Sequence, residues 1–383
     1  VVSAFRVAVY NKDRVFQCQI GNPSELTVTP RHNLIGTASM TVPLDHDKLP
    51  KLMEDGARLR IHFKGELVMS GPIVADELET DGKTGKYTVT VEDDKRILWD
   101  IAGWPVPVAG IANQSGAEYR TYTGNAESIV KAAVEENGVF RLGVPGLTVA
   151  PNLNRGAVVP GGVALRMHPL ADRMFPAMED AGIGVTVQQQ GTSLVLDVYE
   201  PVTHPRSLSS AGRTLKKVKM TRTRPKASRA IVGGPGEGVD RLFTQVTDEA
   251  REAAYGMRAE VFGDARDAKD DPDTGATATG IMTARGHELL SENGPKNGVA
   301  LTLAGSGIFK YGPGGFHVGD RIPVKVTDEI TVVEVIRECT LKWVSKDYAN
   351  AEPAIGELTD RPERIAAQRL AAVARAQRDQ ERR

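Results

Sequence analysis

Cysteine is nearly missing from this chain. The only two in 383 residues, Cys18 and Cys339, lie far apart and in no CxxC or Cys/His spacing. The spacing therefore supports neither a disulfide framework nor a thiolate metal centre, and both are expected as small buried hydrophobes. Aromatic residues are also scarce, at 5%. No run of about 18 apolar residues occurs, and the first twenty residues lack an apolar signal core, so the sequence reads as a soluble protein made in a cytoplasm, with no membrane span. An excess of one charge is missing too: 48 Lys and Arg stand against 49 Asp and Glu. Such a balance gives no general pull toward nucleic acid or an anionic membrane; a scaffold and an enzyme of neutral substrates both fit it.

Turn residues, by contrast, are abundant: 39 glycines and 22 prolines imply many short strands and few long helices. A chain of this length exceeds one ordinary core, and two to four domains are expected. The stretch that organises it is Gly56 to Asp94. Leu59, Ile61 and Phe63 alternate with Arg58, Arg60, His62 and Lys64, and Tyr87, Val89 and Val91 resume the period of two. Lys64-Gly65-Glu66 and Asp81-Gly82-Lys83 place glycine where a tight hairpin needs a positive φ. Gly71-Pro72 allows a sharp change of direction and removes a ladder donor. An antiparallel meander in a barrel-like or sandwich domain follows.

Before it, Phe5, Val7 and Val9 open a hairpin around Asn11 to Arg14, and Leu26, Val28, Met40 and Val42 flank the turn-rich Pro30 to Gly36. After it, Trp99 and Trp104 are expected to plug one end of the barrel, with an exposed aromatic pair for a sugar as the alternative. From Tyr122 the pattern changes. Thr123 or Asn125 can cap a helix carrying Ala126, Ile129, Val130, Ala133 and Val134 and ending at Asn137-Gly138. A Gly/Pro/Asn-rich loop from Val144 to Gly162, a helix near Leu170 to Asp180 and a hairpin pairing Val185 and Val187 with Leu194, Leu196 and Val198 complete an α+β unit. Two more helices are expected at Thr247 to Arg258, capped by Thr247, and at Thr283 to Leu290. Strands return around Val299 to Leu303, Gly319 to Val326 and Thr331 to Trp343. Gly319 to Val326 repeats the pattern of Gly56 to Phe63, which suggests two similar β modules around α+β material. Glu363 to Arg383 reads as a basic, alanine-rich peripheral helix or tail.

Signals for chemistry are few. Arg206 to Arg229 holds nine Lys or Arg and no acid, with Lys216, Lys217, Lys219, Arg222 and Arg224 at its centre. It reads as a solvated strand face or the lining of a polar channel; a phosphate-binding patch is the alternative, although no aromatic is interleaved for base stacking. Ile231 to Gly238 lacks both the G-K-[ST] ending and the G-x-G-x-x-G spacing of phosphate loops, so a strand followed by a glycine turn is expected. Asp264, Asp267, Asp270, Asp271 and Asp273 form an acidic loop with only part of a calcium loop's spacing. The seven histidines show no HExxH, and no G-x-S-x-G elbow exists. Asp45-His46-Asp47 and Asp93-Asp94 could supply paired carboxylates for glycosidic cleavage. No catalytic, cofactor or metal site is expected.

The order of the parts resembles a known family. G-A-R-L-R-I at 56 to 61, G-E-L-V-M-S-G-P-I at 65 to 73, I-V-G-G-P-G-E-G-V-D-R-L-F at 231 to 243, A-E-V-F-G-D-A-R-D at 259 to 267, A-R-G-H-E-L-L at 284 to 290 and H-V-G-D-R-I-P-V at 317 to 324 are similar to the hub, or tail-tip, proteins of long-tailed bacteriophages. The branch they resemble is the minor tail proteins of phages of actinobacteria. The likeness spans about residues 5 to 356.

That resemblance implies a mixed β and α+β fold, with two hub-type β-barrels and an interrupted α+β domain between them. On this chain the first barrel is 1–102. The second combines 213–235 with 299–356, the middle domain joins 103–212 to 236–298, and 357–383 is a C-terminal helix or tail. The implied protein is a non-enzymatic virion component at the tail tip, assembled in the host cytoplasm. It would form a homotrimeric, pseudo-sixfold ring between the tail tube or distal tail protein and the distal tip or receptor-binding proteins, around the path of the tape-measure protein and later of DNA. A saccharide-binding tail-tip protein, with loops such as Pro105 to Tyr122 or Val144 to Gly162, is the next reading, and a cell-wall glycosidase follows.

Overall fold

The structure is a computed structural model that describes residues 4–209, 215–270, 277–303, 310–327, 329–345 and 348–356. The N-terminal seven strands are β1 (Phe5–Tyr10), β2 (Phe16–Ile20), β3 (Glu25–Thr29), β4 (Thr37–Pro43), β5 (Arg58–Phe63), β6 (Glu66–Thr80) and β7 (Gly85–Glu92). They lie in the order β3-β4-β7-β6-β5-β1-β2. Local chemistry sets the hairpins. Lys64 and Gly65 both take positive φ, 49° and 92°, and Phe63 faces Glu66 across them, which is the twist-matched two-residue turn. Asp81 accepts bonds from the backbone of Lys83 and Thr84 to close the next hairpin. Gly71 is required by proximity: a Cβ there would meet the Glu92 carbonyl oxygen at 1.8 Å. The alternation read from the sequence is the burial observed, with Leu59, Ile61, Phe63, Val89 and Val91 all in the core.

The second β module comprises Leu208–Ser209, Leu215–Thr223, Lys296–Leu303, Arg321–Lys325, Thr331–Ser345 and Tyr348–Gly356. Its long strand Thr331–Ser345 pairs with β3 through Leu341 opposite Val28 and Lys342 opposite Thr27. Thirteen strands thus form one sheet. The two modules also share one apolar core, in which Val28, Met40 and Phe63 lie with Ile322, Ile336 and Leu341. The mixed β and α+β class is therefore present, but among the described residues neither module closes into a barrel. A strand has two edges, and β3 gives one to β4 and the other to Thr331–Ser345, which leaves β2 without a partner on which to close. Cys18 and Cys339 are free and buried in this shared core, as expected of small hydrophobes.

A second core belongs to the α+β unit. The helix Ala126–Val134 is capped by Asn125, whose side chain accepts from the Ser128 backbone at 2.8 Å. It continues as a wider turn over Glu135–Arg141 rather than stopping at Asn137-Gly138. The hairpin of Gly184–Gln190 and Ser193–Tyr199 has Val185 opposite Val198 and Val187 opposite Leu196. Glu127, wholly buried, takes Lys131 Nζ at 2.6 Å and the Arg155 guanidinium at 2.7 Å, which pins the loop after residue 150 to the helix. Leu98, Ile101 and, at its margin, Trp99 pack here. Trp99 lies against Phe175 at 4.8 Å. The tryptophans therefore do not plug a barrel: the chain leaves the sheet at Asp94 and turns helical over Ile97–Asp100, carrying Trp99 to the helical side.

The remaining lobe has a three-stranded sheet with Arg229–Gly233 at its centre, antiparallel to Phe243–Thr247 and parallel to Glu260–Asp264. Residues 229–233 thus pair with the middle segment rather than with the second β module. The helix Ala278–Glu292, capped by Thr277, packs on this sheet through Ile281, Met282 and Leu290. The preceding helix, Glu249–Tyr255, is capped by Asp248 and not Thr247, because Thr247 is still paired in the sheet opposite Arg229. The C-terminal helix or tail expected over 357–383 lies outside the described residues.

Candidate functional site

A cleft of about 560 Å³ opens where the shared sheet, the α+β unit and the lobe meet. Its apolar wall is formed by Trp99, Val159, Phe175 and Pro176, and the lobe helix supplies Ile281 and Ala284 opposite. The lobe is tied to the α+β unit around this cleft mainly by polar contacts: Arg173 to Glu288 at 2.5 Å, Ser291 Oγ to Asp180 Oδ1 at 3.1 Å, and Lys269 to Glu118 at 3.6 Å. The apolar clusters of the lobe are distinct from that of the α+β unit.

The floor of the cleft is a buried polar joint. His32 donates or accepts at Nδ1 with the Tyr199 hydroxyl at 2.6 Å, and its Nε2 lies 3.2 Å from Glu179 Oε2. Arg337 reaches the other Glu179 oxygen at 2.5 Å. Asn33 donates to Glu179 at 3.1 Å and to the Ile183 carbonyl at 3.0 Å, and accepts from the Val185 backbone at 2.9 Å. Burial opposes ionisation of Glu179, but the His32 bond, the Arg337 charge and the Asn33 bond outweigh it and hold the carboxyl down at about 2. Burial pushes the Tyr199 phenol up. The joint therefore fastens the β3–β4 connection, the α+β unit and the long strand of the second module together. Asn33 sits at φ 45°, a position that asparagine tolerates better than most residues. Its place in the turn-rich stretch was the only sequence signal for the joint.

Two buried aspartates fasten the end of the first module, and one of them reaches the α+β unit through Ser70. Asp94 holds the Arg58 guanidinium and accepts from Ser70 at 2.6 Å, and Ser70 in turn accepts from the Gln189 backbone at 3.0 Å. Asp93 accepts from the Gly36 backbone at 2.8 Å and pairs with Lys95 at 3.3 Å. The carboxylates considered for glycosidic cleavage at 93 and 94 are thus buried and bonded to their own fold. Asp45 and Asp47 are exposed, and Asp47 pairs with Lys48 at 2.8 Å. Trp104 lies beneath the Arg141 guanidinium at 4.4 Å, so one ring face is already occupied.

The basic run is partly a strand, as read from the sequence. Among the described residues Leu215–Thr223 ends the thirteen-stranded sheet and pairs only with Lys296–Leu303. The side chains of Lys216, Lys217, Lys219 and Arg222 lie outside the described ones, and Arg224 is exposed. Downstream, Arg229 pairs with Glu252 at 2.6 Å. In the acidic loop, Asp264 pairs with Arg241 and Asp267 lies 4.0 Å from Arg285, while Asp271 and Asp273 lie outside the described residues. Among the described residues no group of three or more His, Cys, Asp or Glu is placed to hold a metal ion.

Comparison with known proteins places this architecture. A tail protein of prophage MuSo2 from Shewanella oneidensis is 13% identical, with 92% of this chain and 98% of that one covered and a TM-score of 0.55. The prophage tail protein gp18 from Listeria monocytogenes EGD-e is 10% identical over 97% and 99%, with a TM-score of 0.55. A tail protein from Neisseria meningitidis MC58 is 11% identical over 93% and 97%, with a TM-score of 0.53. These likenesses are in fold. No curated protein matches by sequence. The family model described as Siphovirus ReqiPepy6 Gp37-like protein matches residues 6–357. With nearly the whole described chain inside that match and the fold of phage tail proteins around it, the chain belongs to the Siphovirus ReqiPepy6 Gp37-like family.

Proposed function

We propose that this protein is the structural hub of a siphophage tail tip, a trimer whose six β modules form a pseudo-sixfold ring. The observation that carries the reading is the two β modules joined strand to strand in one sheet over one core, with the longer helices, Ala126–Val134, Leu170–Asp180 and Ala278–Glu292, packed in clusters of their own outside it. Such a body offers two comparable surfaces per subunit, so three copies present six to a sixfold tube, while three inserted units remain to seat a threefold tip. Ring closure would also cover the open edges at β2 and at Leu215–Thr223, which a lone subunit leaves available for pairing. The division into 1–102, 103–212, 213–235, 236–298 and 299–356 belongs to this proposal, with Arg229–Gly233 reassigned to the lobe.

In this reading the partners are two further copies, the tail tube or distal tail protein, the tape-measure protein, and the distal tip or receptor-binding proteins. DNA passes transiently, and the basic segment that carries Lys216, Lys217, Lys219, Arg222 and Arg224 would border its channel. The position is the virion tail tip, assembled in the host cytoplasm, and an actinobacterial host is part of the same proposal. No helix among the described residues is long and apolar enough to cross a membrane. An electron-microscopy map of the intact tail tests the reading. Three copies in one ring between tube and tip support it; a peripheral position, or a copy number other than three, overturns it.

A further inference from the structure

We propose that Arg6, Arg60 and His62, on the outer face of the first module, receive the acidic hairpin Ala75–Lys86 of a second copy of this chain. The inference deepens the trimer reading above and rests on it only for the presence of further copies. Register places the cluster. Arg6 stands opposite His62 across β1 and β5, Arg60 precedes His62 by two residues, and all three face away from the core that holds Phe5, Ile61 and Phe63. Side chains directly opposite one another are about 5 Å apart at Cβ, a spacing at which like charges repel. Among the described residues none of the three meets a carboxylate. Arg60 donates only to the Tyr10 hydroxyl, at 3.2 Å, and its Nε and the His62 Nδ1 are both buried without a partner. Glu66, at the end of the same hairpin, is engaged by His317. Burial, then the charges of Arg60 and Arg6, push the His62 imidazole down. Buried N–H groups of this kind call for an acceptor, and cations this close call for an anion.

The hairpin supplies one. β6 runs past the end of β5: their pairing stops at Arg58 opposite Pro72, and from Ala75 to Thr80 β6 pairs with β7 alone among the described residues, every position exposed. Asp76, Glu77, Glu79 and Asp81 stand here against Lys83 and Lys86. Glu79 is taken by Lys86 at 2.9 Å, which leaves three acids against Lys83. Asp81 closes the turn on backbone N–H groups and Asp76 bonds the Tyr87 hydroxyl, so both keep their charge. Glu77 has neither a hydrogen bond nor an ion pair among the described residues. It faces Thr88, whose neighbour Val89 is in the core, so Glu77 and Glu79 lie on the same outer face as the basic cluster. They stand seven and nine residues beyond Ser70, the residue opposite Arg60, or about 25–30 Å along the strand. Bonded into its sheet, the hairpin cannot reach its own cluster, but it can reach a neighbour's. Complementary patches at opposite ends of one face make a head-to-tail contact, the kind that closes into rings.

Analytical ultracentrifugation from about 1 to 100 µM tests the contact. The wild type is expected to self-associate, and to come apart at about 1 M salt, where screening shortens to about 3 Å. Arg6→Glu/Arg60→Glu and Glu77→Lys/Glu79→Lys should each weaken association about tenfold or more, because like charges are then brought face to face. Mixed in equal amounts, the two variants should associate again, since each hairpin meets a cluster of opposite sign. The hairpin variant changes only exposed residues, so its result stands even where the cluster variant fails to fold. Association that the hairpin variant keeps undiminished overturns this contact and leaves the trimer standing. A wild type that stays monomeric throughout overturns it too, whether or not the cluster then binds inorganic phosphate, and leaves the hub reading to the copy number in the intact tail.

Discussion

His317 gives the most direct test of how the two β modules hold each other. Its Nε2 lies 2.7 Å from Glu66 Oε2, on the first module's hairpin, and its backbone donates to Asp320 at 2.7 Å within its own loop. Beside it, Lys64 Nζ donates to the Tyr311 carbonyl at 3.1 Å. Hydrogen bonding to Asp320 and then to Glu66, against partial burial, raises the imidazole from 6.5 to about 9. The shift corresponds to an upper bound of about 3 kcal/mol. With 45% of the side chain exposed, solvent screening reduces this to about 1 kcal/mol. A raised folded value means the contribution is complete below pH 6.5, declines as pH rises and is gone above about 9. His317→Gln removes it. Calorimetry from pH 6 to 10 should show the wild type losing about 1 °C of melting temperature more than the variant across that window. The reasoning is refuted if both proteins lose the same amount, or if the difference appears below pH 6 instead.

Other perturbations test other parts of the argument. Leu341→Ala removes a fully buried side chain from the strand that joins the modules; thermal or urea unfolding should register a loss of about 2–5 kcal/mol. Gly71→Ala puts a methyl group into the Glu92 carbonyl. The strands must separate to admit it, and a loss of at least about 1–3 kcal/mol is expected; a neutral result would show that β6 and β7 approach less closely than described. Glu179→Gln should flatten the acid limb of stability. The wild-type carboxyl sits at about 2, so its contribution is intact above pH 4.5 and lost as pH falls toward 2, and melting curves of the two proteins should converge there.

The hairpins were legible because their causes are local. Lys64-Gly65 fixes its turn through two adjacent φ values, and Asp81 closes the next with its own side chain. The cap at Asn125 and the facing valines and leucines of 184–199 were legible for the same reason. Trp99 was misplaced because sequence order suggested the nearest sheet, whereas a short helix carried the ring to Phe175. Thr247 lost the cap to Asp248 because a strand held its backbone one residue longer than the helical pattern implied. Among the site residues, Glu179 and Arg337 carried no signal at all: an ordinary charged residue gains meaning only from the partner that the fold supplies.

By itself the sequence determined the alternation that buries one face of each strand, the turns between neighbours, the change from strand to helix after the first module, and the family through the order of its motifs. Tertiary structure alone decided that β3 joins Thr331–Ser345, some three hundred residues away in sequence, and so opened both barrels into one sheet over one core. The reason is that a strand's side-chain period is written in its own residues, while the identity of the strand at its free edge is not: backbone hydrogen bonds are the same for every candidate, and only the packing of distant side chains selects among them.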